Sequence, residues 1–324
     1  MNRNYMKKNN WPIVFGPVPS RRLGRSLGID LTPPKTCSFD CIYCECGKTT
    51  RLSIKRELFL DPDKVIWEVD GFFNHYDPSL VDAITFSGAG EPTLYSELGS
   101  IIAALKARHP EIPVGVLTNG SLLWDSTVRA DLGLADFVIP SLDAPNEELF
   151  RTINRPHKEL KWDQYLDGLR RFIEEYRGDF RLEILFVKGV NDSDKVISEF
   201  RNLLQWLNPK IVEINTISRP GTKPHLQGLP QEQLLKIART LAPVRCRVVS
   251  GYKSKNKYIS YSESRIDERI IALLIRRPCV IEEMADSLAI PSDVLKVHLN
   301  KLVKDGKICF QHGFYRAVSP LPTS

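Results

Sequence analysis

Between residues 26 and 249 short apolar runs alternate with amphipathic helical patterns, and this rhythm constrains the fold more than any other feature. The runs are Ser26–Leu31, Ala83–Ser87, Val114–Thr118, Phe137–Ser141, Arg181–Val187 and Ile211–Thr216. They are short and apolar, as buried parallel strands are. Among the helical patterns, Pro62 stands first behind Asp61 as a cap, with Val65, Ile66, Val69, Phe72 and Phe73 on one face. Others fit Leu98–Arg108, Lys161–Tyr176 and Ser193–Leu207. The fold class is α/β, and parallel strands joined by crossover helices allow an open doubly wound sheet or part of a (β/α) barrel.

The ends of the runs predict where the site lies. Cys37 to Cys46 follow the first, Gly88-Ala89-Gly90-Glu91-Pro92 the second and Asn119-Gly120 the third. Ser141 and Asp143 close the fourth, Lys188 to Asp192 follow the fifth, and Ser218 to Gly221 the sixth. Parallel α/β folds bind ligands at the carboxyl ends of their strands, so all six ends are expected to share one site.

Charge and composition narrow the class of protein. The net charge is +6, yet residues 1–29 hold all of the excess, as Arg3, Lys7, Lys8, Arg21, Arg22 and Arg25 without an acid. The remainder is neutral, which excludes a globally basic nucleic-acid binder and leaves one basic entrance, either gripping a phosphate or carboxylate or capping the fold with solvated charges. The apolar stretch Ile270–Ile275 is far shorter than a membrane span, and Asn9-Asn10-Trp11-Pro12 stand where a signal peptide would need an apolar core. The expected location is cytoplasmic, with no membrane partner. In that compartment seven cysteines read as metal or redox chemistry rather than disulfides.

Four of these cysteines fall together, at 37, 41, 44 and 46. Structural zinc sites take four ligands, commonly as two distant pairs, and no second pair exists here, although Cys46 offers a fourth thiol. A cubane held by Cys37, Cys41 and Cys44 would leave one iron open to a small molecule. The spacing favours the cluster without closing the zinc alternative. Cys246, Cys279 and Cys309 are most simply core thiols.

The run Cys37-Ser38-Phe39-Asp40-Cys41-Ile42-Tyr43-Cys44 resembles the signature of the radical S-adenosylmethionine (SAM) superfamily, Tyr43 included. Gly88-Ala89-Gly90-Glu91-Pro92 resembles its glycine-glycine-glutamate motif, departing at Ala89. The lead-in from Gly16 to Gly28, Gly47-Lys48-Thr49, and Asn154-Arg155-Pro156-His157 resemble the wyosine-synthase-like, tRNA-modifying group. The resemblance covers residues 13–225 and implies a partial (β/α)6 barrel.

It also implies a [4Fe–4S] cluster on Cys37, Cys41 and Cys44, whose remaining iron chelates the amino and carboxylate groups of SAM. An electron from the cluster would cleave the sulfonium, and the resulting 5′-deoxyadenosyl radical would abstract a substrate hydrogen. Gly88, Gly90 and Glu91 are then expected at the SAM amino group, and Tyr43 and Pro220 at its adenine. Ser141 and Asp143 are expected at its ribose or carboxylate, and Asn119 at SAM or substrate. Arg155, His157, Lys188 and Asn191 are the candidate substrate contacts. For each, a turn, cap or solvated loop is the structural alternative. No flavin or ferredoxin motif is visible, so an external one-electron donor such as ferredoxin or flavodoxin is implied.

The expected division is a core over residues 1–249, a lysine-bearing linker over 250–263 and a second domain over 264–324. Ile266, Ile270, Leu273 and Leu274 form one stripe, and Ile281, Met284, Ala285 and Leu288 a second. Ser292 is read as the cap of a third helix with Leu295, Leu299, Leu302 and Val303 inward, and Lys307–Val318 as a hairpin around His312-Gly313. That order predicts a winged helix-turn-helix. Its net charge is only +2, nine basic against seven acidic side chains, which suits docking or dimerisation better than autonomous DNA binding. The core is expected to close without it. The nearest resemblance implies an RNA substrate. No cysteine precedes Cys37, where the tRNA-modifying members carry a second cluster, so a peptide or small metabolite stays open beside RNA. An iron–sulfur DNA-binding redox regulator is the alternative from another class.

Overall fold

A hairpin opens the chain, with β1 (Val14–Ser20) antiparallel to β2 (Gly24–Ile29). The structure is a computed structural model that describes residues 11–249, 266–288 and 290–318; the predicted linker lies outside the described residues. β1 is absent from the runs predicted above because Gly16, Pro17 and Pro19 interrupt its apolar pattern. After β2 come the two-residue strands β3 (Thr36–Cys37) and β4 (Arg51–Leu52), then α1 (Pro62–Phe73), capped by the Asp61 carboxylate. The alternation continues through β5 (Ala83–Phe86), α2 (Leu98–Arg108), β6 (Val114–Thr118), α3 (Ser126–Leu132) and β7 (Phe137–Pro140). Next are α4 (Glu147–Ile153), α5 (Trp162–Glu175), β8 (Asp179–Phe180), β9 (Leu182–Phe186) and α6 (Asp194–Leu207). β10 (Val212–Thr216), α7 (Gln231–Thr240) and β11 (Cys246–Val248) complete the series.

β2, β5, β6, β7 and β8 pair in parallel in that order, and β9, β10 and β11 form a second parallel sheet. A bridge between Ser141 and Glu183 joins the two sheets. One face of the strands, including Leu27, Ile29, Ile84, Phe86, Val138, Ile184 and Ile214, packs under the helices in the main core. The other face is not uniformly apolar, contrary to the reading of these runs. It carries the Ser26–Thr85 hydroxyl pair at 2.6 Å, and Glu183 hydrogen-bonded by Asn215 at 2.8 Å. Arg22, in the turn between β1 and β2, pairs with Glu183 on β9 and lies 3.6 Å from Glu213 on β10. This ion pair draws the first hairpin toward the last strands, across the side where the parallel array would otherwise stay open.

Beyond the undescribed linker stand α8 (Ile266–Arg276), α9 (Ile281–Leu288), α10 (Ser292–Lys304) and the antiparallel hairpin β12 (Ile308–Gln311) with β13 (Phe314–Ala317). The predicted stripes form a separate core of Ile270, Leu273, Met284, Leu295, Leu299 and Leu302. Pro291, not Ser292, is the cap residue of α10, and Val303 is exposed because it falls off the inward face. His312 and Gly313 both have positive φ, as a two-residue hairpin turn of type I′ requires. The two cores are separate clusters that touch at their edges. Val18 packs on the smaller one, and Arg276 at the end of α8 forms a buried ion pair with Asp30 behind β2.

Candidate functional site

The chain leaves β2 at Asp30 and crosses the carboxyl ends of the strands as the cysteine loop. Backbone bonds to two other loops hold it there: Asp40 N–H and Ile42 N–H donate to the carbonyls of Asn154 and Ile153, at 3.0 and 2.9 Å. Thr222 N–H donates to the Cys44 carbonyl at 3.0 Å. Gly221 is required at that contact, since a Cβ there would stand 2.3 Å from the Tyr43 carbonyl oxygen.

Each of the first three thiols has its own nitrogen donor. Asn119 Nδ2 and Phe39 N–H reach Cys37 Sγ at 3.5 Å, Asn154 Nδ2 reaches Cys41 Sγ at 3.6 Å, and Lys35 Nζ reaches Cys44 Sγ at 3.6 Å. Desolvation, then Glu91, pushes the Cys37 thiol up to about 12, and desolvation holds Cys41 well above its usual range. Cys44 is lowered, first by a hydrogen bond from Cys46 and also by Lys35. Cys46, beside Cys44, also has carbonyl partners: its Sγ lies 2.9 Å from the Arg276 carbonyl and 3.6 Å from that of Gly88.

The glycine loop after β5 rests on this loop. Gly90 leaves no room for a Cβ, which would meet Thr32 Oγ1 and the Thr36 carbonyl at 2.2 Å. Glu91 is buried, and burial raises its carboxyl. Its Oε1 accepts from Thr93 N–H, Thr93 Oγ1 and Thr118 Oγ1 at 2.6–3.1 Å, whereas Oε2 accepts only from Asn119 N–H, at 2.8 Å. A carboxylate has about four lone-pair positions, so Oε2 retains room for a further donor.

Asp143 closes the site from β7. Its Oδ2 accepts from the Tyr43 hydroxyl and, at 2.8 Å, from Asn154 Nδ2, while Oδ1 accepts from Leu185 N–H at 3.0 Å. Burial raises this carboxyl too. Ser141 lies at the end of β7, where its carbonyl accepts from Tyr165. The Pro220 carbonyl accepts from Arg316 of β13 at 3.0 Å.

The substrate candidates divide. Lys188 is exposed and His157 half-buried, with His157 N–H donating to the Ser38 carbonyl at 2.9 Å. Asn191 is fully buried and spends its amide inside the fold, donating to the Asp143 and Leu185 carbonyls and accepting from Val187 N–H. Arg155 donates to the Asp40 carbonyl and forms an ion pair with the Asp40 carboxylate, bracing the cysteine loop. Of the basic entrance, Arg22 is spent on Glu183 and Glu213, and Arg25 on Asp82 and the Ser79 carbonyl. Sequence reasoning did not single out Lys35, because Pro33-Pro34-Lys35 carries no motif. Asn154 stands in the motif Asn154–His157, but the sequence assigns it no role of its own.

Three cysteine sulfurs, each with a nitrogen donor that a thiolate would accept from, fit a cationic centre, because thiolate is the ligand form. Among the described residues, no three His, Cys, Asp or Glu groups converge as a single-ion site. A cubane spreads its thiolates over three irons, so it needs no such convergence. Buried Asn154 Oδ1, beside Cys41 and Asp143, has no hydrogen-bond partner and offers an acceptor to a bound molecule.

These features describe a cysteine-lined site at the carboxyl ends of the parallel strands of an α/β fold, and the comparison with known families gives the class. The chain belongs to the radical SAM superfamily, whose family model matches residues 31–200. As a member of that superfamily it is an enzyme whose cofactors are a [4Fe–4S] cluster and SAM. It is 33% identical to the UPF0026 protein MJ1312 of Methanocaldococcus jannaschii, over 91% of this chain and 92% of that one. It is 35% identical to a protein of Brachyspira hyodysenteriae named GTPase Obg, over 95% of this chain. The match spans only 45% of that relative's length. A solved structure of TYW1 with a lysine–pyruvate adduct bound matches at a TM-score of 0.52 and 20% identity, over 74% of this chain and 77% of that one, which shows the shared fold. No helix among the described residues is long and apolar enough to cross a membrane.

Proposed function

We propose that Cys37, Cys41 and Cys44 carry the [4Fe–4S] cluster, that SAM binds across the adjoining loops, and that the substrate is an RNA. The observation that carries the cluster assignment is the set of side-chain N–H donors, from Asn119, Asn154 and Lys35, aimed one at each of these sulfurs. When bound, the cofactors supply a 5′-deoxyadenosyl radical that removes a hydrogen atom from the substrate. Thr93, Thr118 and the Asn119 backbone orient Glu91, leaving Oε2 to take the SAM amino group beside Gly88 and Gly90. Tyr43 and Asp143, locked to each other, frame the opposite side with Ser141 and Pro220. Asn191 and Arg155 act as braces behind this frame, while His157 and Lys188 remain placed to meet substrate. The electron comes from an external donor such as ferredoxin or flavodoxin.

The RNA reading is supported by the resemblance of the lead-in and of Asn154–His157 to the wyosine-synthase-like group. We infer that α8–α10 and the β12–β13 hairpin form a winged helix-turn-helix that docks it, and that the parallel array is the partial (β/α)6 barrel. The test is anaerobic reconstitution, reduction with dithionite and assay of 5′-deoxyadenosine with and without bulk tRNA. Release stimulated by tRNA is expected. Stimulation by peptide or metabolite fractions instead would replace the substrate, and no release from iron-replete protein would overturn the site assignment.

A further inference from the structure

The Asp30 carboxylate is a junction between the cofactor loops and the C-terminal unit. It is 2% exposed, and its Oδ2 accepts at 3.0 Å both from Ala89 N–H, within the glycine-glutamate loop, and from Arg276 Nε. Gly88 sits against the same carboxylate, whose atoms lie 2.2–2.5 Å from where a Cβ would stand. Arg276 is the last residue of α8, and four contacts fix its guanidinium. These are Asp30, the Ala272 carbonyl at 2.6 Å, the Pro12 carbonyl, and the Phe15 ring, whose centroid lies 4.2 Å away. Phe15 in turn fills the space left by Gly28. The Arg276 carbonyl receives Cys46 Sγ.

The unit's other polar ties also reach site loops. Arg219 joins Glu45 of the cysteine loop to Glu283 of α9, and Arg316 donates to the Pro220 carbonyl. A buried carboxylate that loses its cation protonates or reorients, and in either case becomes a weaker acceptor.

We propose that Arg276 is a positioning residue of the SAM site: its guanidinium pairs with Asp30 and fixes that carboxylate as the acceptor for Ala89 N–H, so the C-terminal unit completes the cofactor site. The proposal rests on reading Gly88–Glu91 as the SAM loop. It makes SAM affinity depend on the contact of the Arg276 side chain with Asp30.

The experiment compares wild type with Arg276→Met, Arg276→Lys and the double variant Asp30→Asn/Arg276→Met in the full chain. Amide exchange at Ala89 is read before reconstitution, and SAM affinity after it. Arg276→Met should speed Ala89 exchange and weaken SAM by about tenfold or more, with Arg276→Lys restoring most of both through its charge. The double variant leaves no buried charge, so it reports even if the single one fails to fold, and it should show the same weakened SAM affinity. Exchange and affinity within twofold of wild type, in folded Arg276→Met or in the double variant, would overturn the proposal. Failure of wild type itself to bind SAM would strike the reading of the loop, and Ala89 exchange would still judge the role of Arg276.

Discussion

Asn154 places one amide nitrogen 3.6 Å from Cys41 Sγ and 2.8 Å from Asp143 Oδ2, so a single side chain ties the Cys41 thiol to the carboxylate that locks Tyr43. Asn119 makes the matching contact to Cys37, and also donates to Ser38 Oγ at 2.8 Å. Hydrogen bonds to the sulfurs are among the factors that set iron–sulfur potentials.

Removing an N–H donor from a thiolate stabilises the oxidised cluster. Asn154→Ala should therefore lower the midpoint potential by roughly 60 mV, taking a charge-assisted bond as about 1.5 kcal/mol. An EPR-monitored redox titration measures it, and an unchanged potential would remove Asn154 from the cluster's surroundings.

Cys37→Ala, Cys41→Ala and Cys44→Ala should each lose the cluster, whereas Cys46→Ala should keep about four irons per chain. The reason is that the fourth thiol, though beside Cys44, is engaged by the Arg276 and Gly88 carbonyls, while each of the other three sulfurs has a side-chain nitrogen donor. Iron and sulfide analysis decides it; loss of iron in Cys46→Ala would make Cys46 a ligand.

Arg276 and Asp30 are buried together, at 5% and 2% exposure. Breaking such a pair from one side costs about 3–5 kcal/mol, while removing both charges costs far less. Chemical denaturation should show Arg276→Met strongly destabilised and Asp30→Asn/Arg276→Met substantially recovered.

Asp267 supplies a pH signature for the C-terminal unit. Its slight burial would raise the carboxyl, but hydrogen bonds from Lys301 and His298, at 2.7 and 2.6 Å, hold it below the ordinary range. A depressed folded pKa means stability that is complete above the unfolded carboxyl pKa and lost as pH falls through the folded one. Melting curves across the acid range should show this loss in wild type, and Asp267→Asn should flatten it.

Lys296 and Lys304 are exposed on α10, whereas Lys301 is engaged with Asp267. If RNA docks on this face, Lys296→Ala with Lys304→Ala should flatten the log-affinity against log-salt slope by roughly one to two units. A filter-binding salt titration reads it directly.

Local chemistry was legible in the sequence. The cysteine spacing, the glycine-glutamate loop and the helical stripes depend on residues a few positions apart, and Leu98–Arg108 and Val114–Thr118 coincide with α2 and β6. Four of the six polar strand ends, at Cys37–Cys44, Glu91, Asn119 and Asp143, meet through side-chain hydrogen bonds, because parallel strands bring their carboxyl ends to one face. The sequence by itself determined which thiols and carboxylates meet there. Only the tertiary structure decided what holds them. Arg276 reaches Asp30 from 246 positions away, and Arg22 reaches Glu183 across 161. A buried charge takes whichever partner the packing brings near, and that choice leaves no period or spacing along the chain.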